Sequence, residues 1–167
     1  MKKEENKFKN KFKLLSKKEE KEIMRHLKEY GLTLSHGFVL LKSENKIFIA
    51  PKQSLNFLDI AMRAGFYLGK LEAGGFRLSF DATQLFAKQA KHNMHNTLEL
   101  TRDELVAWMQ GKNIKDLKNL EEGKSKGKGG KGFVILKHGD DFLGCGLLKD
   151  GKLLNYVPKE RRIKIEM

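Results

Sequence analysis

Residues 132–165 read GFVILKHGDDFLGCGLLKDGKLLNYVPKERRIKI. Short apolar runs alternate here with turn signals. Residues 132–138 predict a strand, Gly139-Asp140-Asp141 a turn, and 142–148 a second strand. Lys149-Asp150-Gly151-Lys152 carries the Asp-Gly pair of a tight hairpin. Residues 153–157 follow as a third strand, 158–162 as a basic turn, and 163–165 as a final edge strand. Strands this short and this close predict a small barrel, because closing a sheet removes its exposed edges.

The same stretch holds the candidate binding residues. Pro158 fixes φ and ends the third strand. Lys159, Arg161 and Arg162 then cluster in one turn, from which their side chains can reach several phosphates. Arginine can also fork two hydrogen bonds onto one phosphate or stack on an unpaired base. Asn155 and Tyr156 precede this turn, and Lys149 and Lys152 bracket the hairpin tip. These seven residues are the candidate contacts for phosphates or unpaired bases; the competing reading is a solvated turn with structural Asn and Pro. Gly144 and Gly146 flank Cys145, and glycine inside a strand marks a bulge or a close approach by another chain. Either RNA or tight packing fits that approach. Cys145 reads as a small buried hydrophobe, with no partner base to make it a nucleophile.

Upstream, residues 116–130 form a Lys/Gly-rich stretch expected to be a flexible linker or a long basic loop. Its Gly123-Lys124-Ser125 lacks the first glycine of a phosphate loop. Residues 14–115 carry two capping boxes, Ser16 with Glu19 and Thr101 with Glu104, each opening a helix. Asp81 and Gln84 have similar spacing. Residues 38–42 and 46–50 pattern as one strand pair, and 62–71 and 76–80 as another. A short helix is expected over 54–60. Trp108 sits with Leu105 and Met109 at helical spacing and reads as core. His92 and His95 lack a third ligand nearby, and no metal site is expected. Residues 1–13 read as a disordered basic arm.

Composition narrows the function. The 167 residues carry a net charge of +13. The excess is divided as +5 over residues 1–30, +2 over 31–111 and +6 over 112–167. Basic ends flanking a nearly neutral middle fit a polyphosphate partner, since binding releases condensed counterions, and fit equally a highly charged solvated surface of the kind heat-adapted proteins carry. One cysteine excludes an internal disulfide and the common structural zinc sites, and fits a reducing cytoplasm. No apolar run reaches the ~20 residues of a membrane helix, and the Lys/Glu-rich start is unlike a signal peptide.

The C-terminal stretch resembles the PUA-like domain that ends the RsmF/NOL1-NOP2-Sun (fmu) group of RNA 5-methylcytosine methyltransferases. Gly132-Phe133-Val134 and Leu143-Gly144-Cys145-Gly146 carry the resemblance, and Leu153 to Arg162 resembles the group's "lKNhyPKglR" run. Residues 63–70, 76–82 and 98–111 resemble the preceding region more weakly, with Leu78 in place of the usual proline. The layout is similar to that of small stand-alone archaeal PUA-domain proteins of ribosome biogenesis. The methyltransferases also carry a cofactor-binding core with two catalytic cysteines. This chain has neither a strand–Gly-rich loop–helix unit nor a second cysteine. The resemblance therefore implies an RNA-binding protein that is not an enzyme and needs no cofactor.

The expected architecture is α+β: a small N-terminal α/β sheet domain over 14–115, followed by a PUA-like β-barrel over 131–167. Because PUA folds usually exceed 70 residues, the barrel can begin nearer residue 60. The expected partner is structured RNA, rRNA or tRNA, with no membrane. The alternative is an interaction subunit that docks on a separate RNA-modifying enzyme.

Overall fold

The computed structural model describes residues 11–90, 93–117 and 132–164. Most of the expected basic arm, nearly all of the Lys/Gly stretch, His92 and Ile165 lie outside the described residues. Among the described residues the chain is a mixed α/β protein with two sheets.

The first sheet has five antiparallel strands in sequence order: β1 (Lys13–Leu14), β2 (Phe38–Ser43), β3 (Lys46–Pro51), β4 (Phe66–Glu72) and β5 (Gly75–Leu78). Helix α1 (Lys17–Glu29) leaves β1 at Ser16. The Ser16 hydroxyl accepts from the Glu19 amide, and the Glu19 carboxylate accepts from the Ser16 amide. This reciprocal pair satisfies two amides that the first turn would otherwise leave open. Ile23 and Leu27 then face the core, and Tyr30 closes the helix. The stretch that follows β3 forms a 3-10 helix over Lys52–Ile60. Helix α2 (Phe80–Ala90) follows β5. Its cap is Ser79, whose hydroxyl accepts from the Ala82 amide, instead of the expected Asp81. Asp81 lies inside the first turn and turns outward.

The second sheet contains β6 (Thr97–Glu99), β7 (Gly132–His138), β8 (Asp141–Lys149) and β9 (Lys152–Leu154), in that order. Strand β6 runs parallel to β7, while the other pairs are antiparallel. Helix α3 (Arg102–Met109) follows β6 behind its own capping box of Thr101 and Glu104. Thus β6 and α3, which precede the Lys/Gly stretch in sequence, pack with the strands that follow it. Among the described residues this sheet is open, and no pairing closes it into a barrel. Of the expected last strand, residues 163 and 164 are not in a strand, and the basic turn before it is present. Residues 159–161 make a 3-10 turn, and the Ile163 amide bonds the Met109 carbonyl instead of a strand neighbour.

Strand β7 is buried on both faces, which is why GFVILKH is a nearly continuous apolar run. Phe133 and Ile135 point into a core shared with the first sheet, beside Tyr30, Leu68, Phe76 and Leu78. Val134 and Leu136 point the other way, to Leu100, Trp108 and Leu153. This is the two-residue alternation of a strand. On β8 the alternation is broken once. Ile135 pairs Cys145, but Lys137 pairs Phe142, so β8 carries one extra residue there. The bulge lets Leu143 join the Trp108 side while Cys145 faces the shared core. Gly144 sits in it at φ +93°, a value that disfavours other residues.

Candidate nucleic-acid interface

Asn155 stands directly after β9 and bonds in four directions. Its amide nitrogen donates to the carbonyls of Trp108 (2.7 Å) and Lys112 (3.1 Å). Its side-chain oxygen accepts from the Val157 amide (2.9 Å), and its own backbone amide donates to the Asn113 side chain (2.8 Å). The Asn155 amide group is therefore spent on joining the C-terminal end of α3 to the run that carries Pro158. Arg162 has a comparable place. Its Nε donates to the Val157 carbonyl at 3.0 Å, and its side chain crosses Gly111, just beyond α3. A cation there also meets the negative end of the helix dipole.

The other candidates are more open. Lys149 and Lys152 face each other as strand partners at the tip of the β8–β9 hairpin, and both are exposed. Lys159 is exposed in the 3-10 turn. Among the described residues none of the three has an ion-pair partner. Arg161 reaches back to α2 and meets Asp81 at 2.8 Å, both side chains about half exposed. A solvent-exposed pair of this kind contributes about 1 kcal/mol or less. The structure does not gather these cations into one cluster. Pro158 and Glu160 share a cleft with Gly144, whereas Lys149 lies five residues further along β8. At ~3.4 Å per residue, the hairpin tip stands on the order of 15 Å from the turn.

That cleft, of about 170 Å³, lies where the two sheets meet. Tyr67, Arg77, Phe80 and Asp81 line it from one side, and Gly144, Tyr156 and Pro158 from the other. The Arg77 guanidinium lies 4.5 Å from the centre of the Tyr156 ring. Its Nε and one Nη donate to the Glu72 carboxylate at 3.2 and 3.0 Å, which holds it there. Tyr156 also meets Phe133 edge-on, with centroids 5.7 Å apart. So Tyr156, expected as a contact, is half-buried, and it brings in Tyr67, which the sequence did not single out, and Arg77, whose place on a strand reads by default as solvent-facing and otherwise as facing a bound RNA. The signal is a basic residue on an otherwise apolar strand, Phe76-Arg77-Leu78.

Cys145 lines the floor of the cleft. Burial pushes its thiol up to about 12, against the opposing effect of a Tyr30 hydrogen bond. It therefore stays protonated at neutral pH, and a thiol is a poor nucleophile. Gly146 is explained by packing: a Cβ there would lie 2.8 Å from both the Trp108 ring and Leu153. Trp108 is wholly buried, and its ring N–H donates to the Leu143 carbonyl at 2.7 Å. Among the described residues no three His, Cys, Asp or Glu side chains are grouped to hold a metal, and no helix is long and apolar enough to cross a membrane.

Comparison with known proteins places this geometry. No curated protein matches the chain. Residues 95–163 match the family model of the methyltransferase RsmF PUA domain. The match spans β6, α3, β7, β8, β9 and the 3-10 turn, which are the elements of the second sheet and its helix. Residues 95–163 thus resemble the PUA domain of RsmF, and a PUA domain suggests an RNA partner.

Proposed function

We propose that this chain binds structured RNA, rRNA or tRNA, in ribosome biogenesis or RNA modification, and performs no catalytic step of its own. The observation that carries the reading is the PUA match over residues 95–163. Exposed cations at the β8–β9 hairpin tip and in the 3-10 turn support it. Lys149 and Lys152 at the hairpin tip and Lys159 at the turn would contact phosphates of one folded RNA some 15 Å apart, a spacing that follows from ~3.4 Å per strand residue. Asn155 and Arg162 act within the fold, holding the turn on α3, and would affect RNA only through it. A reducing cytoplasm suits the lone buried thiol.

The test is binding to rRNA and tRNA fragments across salt. Removing one phosphate-binding cation lowers the slope of log affinity against log salt by about 0.7–0.9. The triple change Lys149→Ala, Lys152→Ala, Lys159→Ala is expected to lower it by about two to three. An unchanged affinity and slope would remove these lysines from the interface.

A second reading has its own observation. Phe57, Ile60 and Met62 are 61%, 80% and 70% exposed in and just after the 3-10 helix. Such a run favours a protein partner, an RNA-modifying enzyme on this reading. Recovery of an RNA methyltransferase in a pull-down after nuclease treatment, abolished in Phe57→Ser/Ile60→Ser, would support it. An RNA-dependent pull-down would count against it.

A further inference from the structure

We propose that the cleft between the two sheets receives one unpaired RNA base, stacked on the platform formed by Arg77 and Tyr156. This rests on the RNA-binding reading and deepens it, because it separates base recognition from the phosphate contacts.

The size of the cleft limits what it can hold. At about 170 Å³ it falls well below the roughly 300–1,000 Å³ of a pocket for a drug-sized ligand. It suits a single flat group. Its charge limits the ligand further. The Arg77 guanidinium is already neutralised by Glu72, and Asp81 and Glu160 stand among the lining residues. Asp81 is itself paired with Arg161. A phosphate would meet two carboxylates and no unpaired interior cation. The base is the neutral, flat part of a nucleotide.

The walls have the chemistry of base recognition. Glu72 holds the guanidinium, which lies over the Tyr156 ring. The side chain of Arg77 retains 18% exposure. Unpaired bases stack on aromatic rings and on guanidinium planes of this kind. Two phenol hydroxyls complete the site. Neither Tyr67 nor Tyr156 has a side-chain hydrogen bond among the described residues, so both can bond a base edge. Burial raises the Tyr67 hydroxyl above its ordinary value, so it remains a neutral donor and acceptor.

Three RNA hairpins of equal phosphate count distinguish this site from the lysine contacts. One is fully paired, one has a single bulged uridine, and one has an abasic bulge. Titrated against the full chain, the bulged hairpin is expected to bind roughly 5- to 100-fold more tightly than the other two, the worth of one stacked base. Arg77→Lys keeps the charge but removes the plane. It is expected to abolish the preference while leaving the salt slope unchanged. Tyr156→Phe keeps the ring and retains most of the preference. The emission of Trp108, the only tryptophan, reports whether each variant is folded. Equal binding of all three hairpins by the unaltered chain, with a steep salt slope, would overturn the base site and leave the RNA-binding reading standing. Failure to bind any of the three would overturn both.

Discussion

Arg162 lies across Gly111 so closely that a Cβ at position 111 would sit 2.4 Å from its Nε. Gly111 itself has φ +82°. The two residues together end α3 and anchor the segment that leaves the second sheet. Gly111→Ala is therefore expected to combine backbone strain with displacement of Arg162 from the Val157 carbonyl. Strain of this kind costs about 1–3 kcal/mol. Urea unfolding should show that destabilisation, and it should shrink when Arg162→Ala is already present, since neighbours that touch are not additive. Full additivity would mean that Arg162 moves aside freely.

Asn155 separates a structural role from a reading role. Asn155→Ala strips partners from two carbonyls and one amide at once. With a net ~0.5–1.5 kcal/mol per hydrogen bond, the expected destabilisation is about 2–4 kcal/mol. RNA affinity of the folded fraction should change by less than about twofold, because the ~1–3 kcal/mol worth of a base contact would be absent. A tenfold fall in affinity at unchanged stability would instead make Asn155 an RNA contact.

Much of the fold was legible because it is local. The capping boxes at Ser16 and Thr101, the Lys149–Lys152 hairpin and the doubly buried strand β7 each follow from residues within a few positions of one another. The misreadings concern distant partners. Asp81 has capping spacing, but it is drawn to Arg161, 80 residues away, while Ser79 is nearer the open amides. Strand β6 is three residues long and pairs Thr97 with Ile135 in parallel, so no turn signal announces it. The cleft is of the same kind. Arg77 meets Tyr156 only after the two sheets have joined their cores, and neither residue has a local pattern that points to the other.

Acid stability should depend on Glu19. Hydrogen bonds from Lys42 and from the Ser16 backbone and hydroxyl hold its carboxyl down at about 2, against an ordinary 4.5. A lowered carboxylate stabilises the fold above its unfolded value, and that contribution disappears as pH falls through the folded one. The decline should therefore run from about pH 4.5 down to about pH 2. Melting temperature measured across that range should fall less steeply in Glu19→Gln than in the unaltered chain. The difference should also narrow in high salt, since the group is partly exposed. Identical slopes would place the acid limb elsewhere.

The last prediction concerns Trp108 and Gly146. The indole fills the space that a side chain at 146 would occupy: a Cβ there would touch the Trp108 ring and Leu153 at 2.8 Å each. Both neighbours are wholly buried, so neither can swing into solvent. Gly146→Ala should thus act as overpacking, costing about 1–3 kcal/mol. Trp108→Phe removes the outer ring and also the N–H bond to the Leu143 carbonyl, so it is destabilising by itself. Combined, the smaller ring makes room for the new methyl group. The double variant should be more stable than the sum of the two single effects by about 0.5–3 kcal/mol. Simple additivity in urea unfolding would show that the glycine is required by the backbone of β8 and not by the tryptophan. Because the same ring lines the cleft, the double variant should also keep its preference for a bulged hairpin only if the Arg77–Tyr156 platform, and not the indole, supports the base.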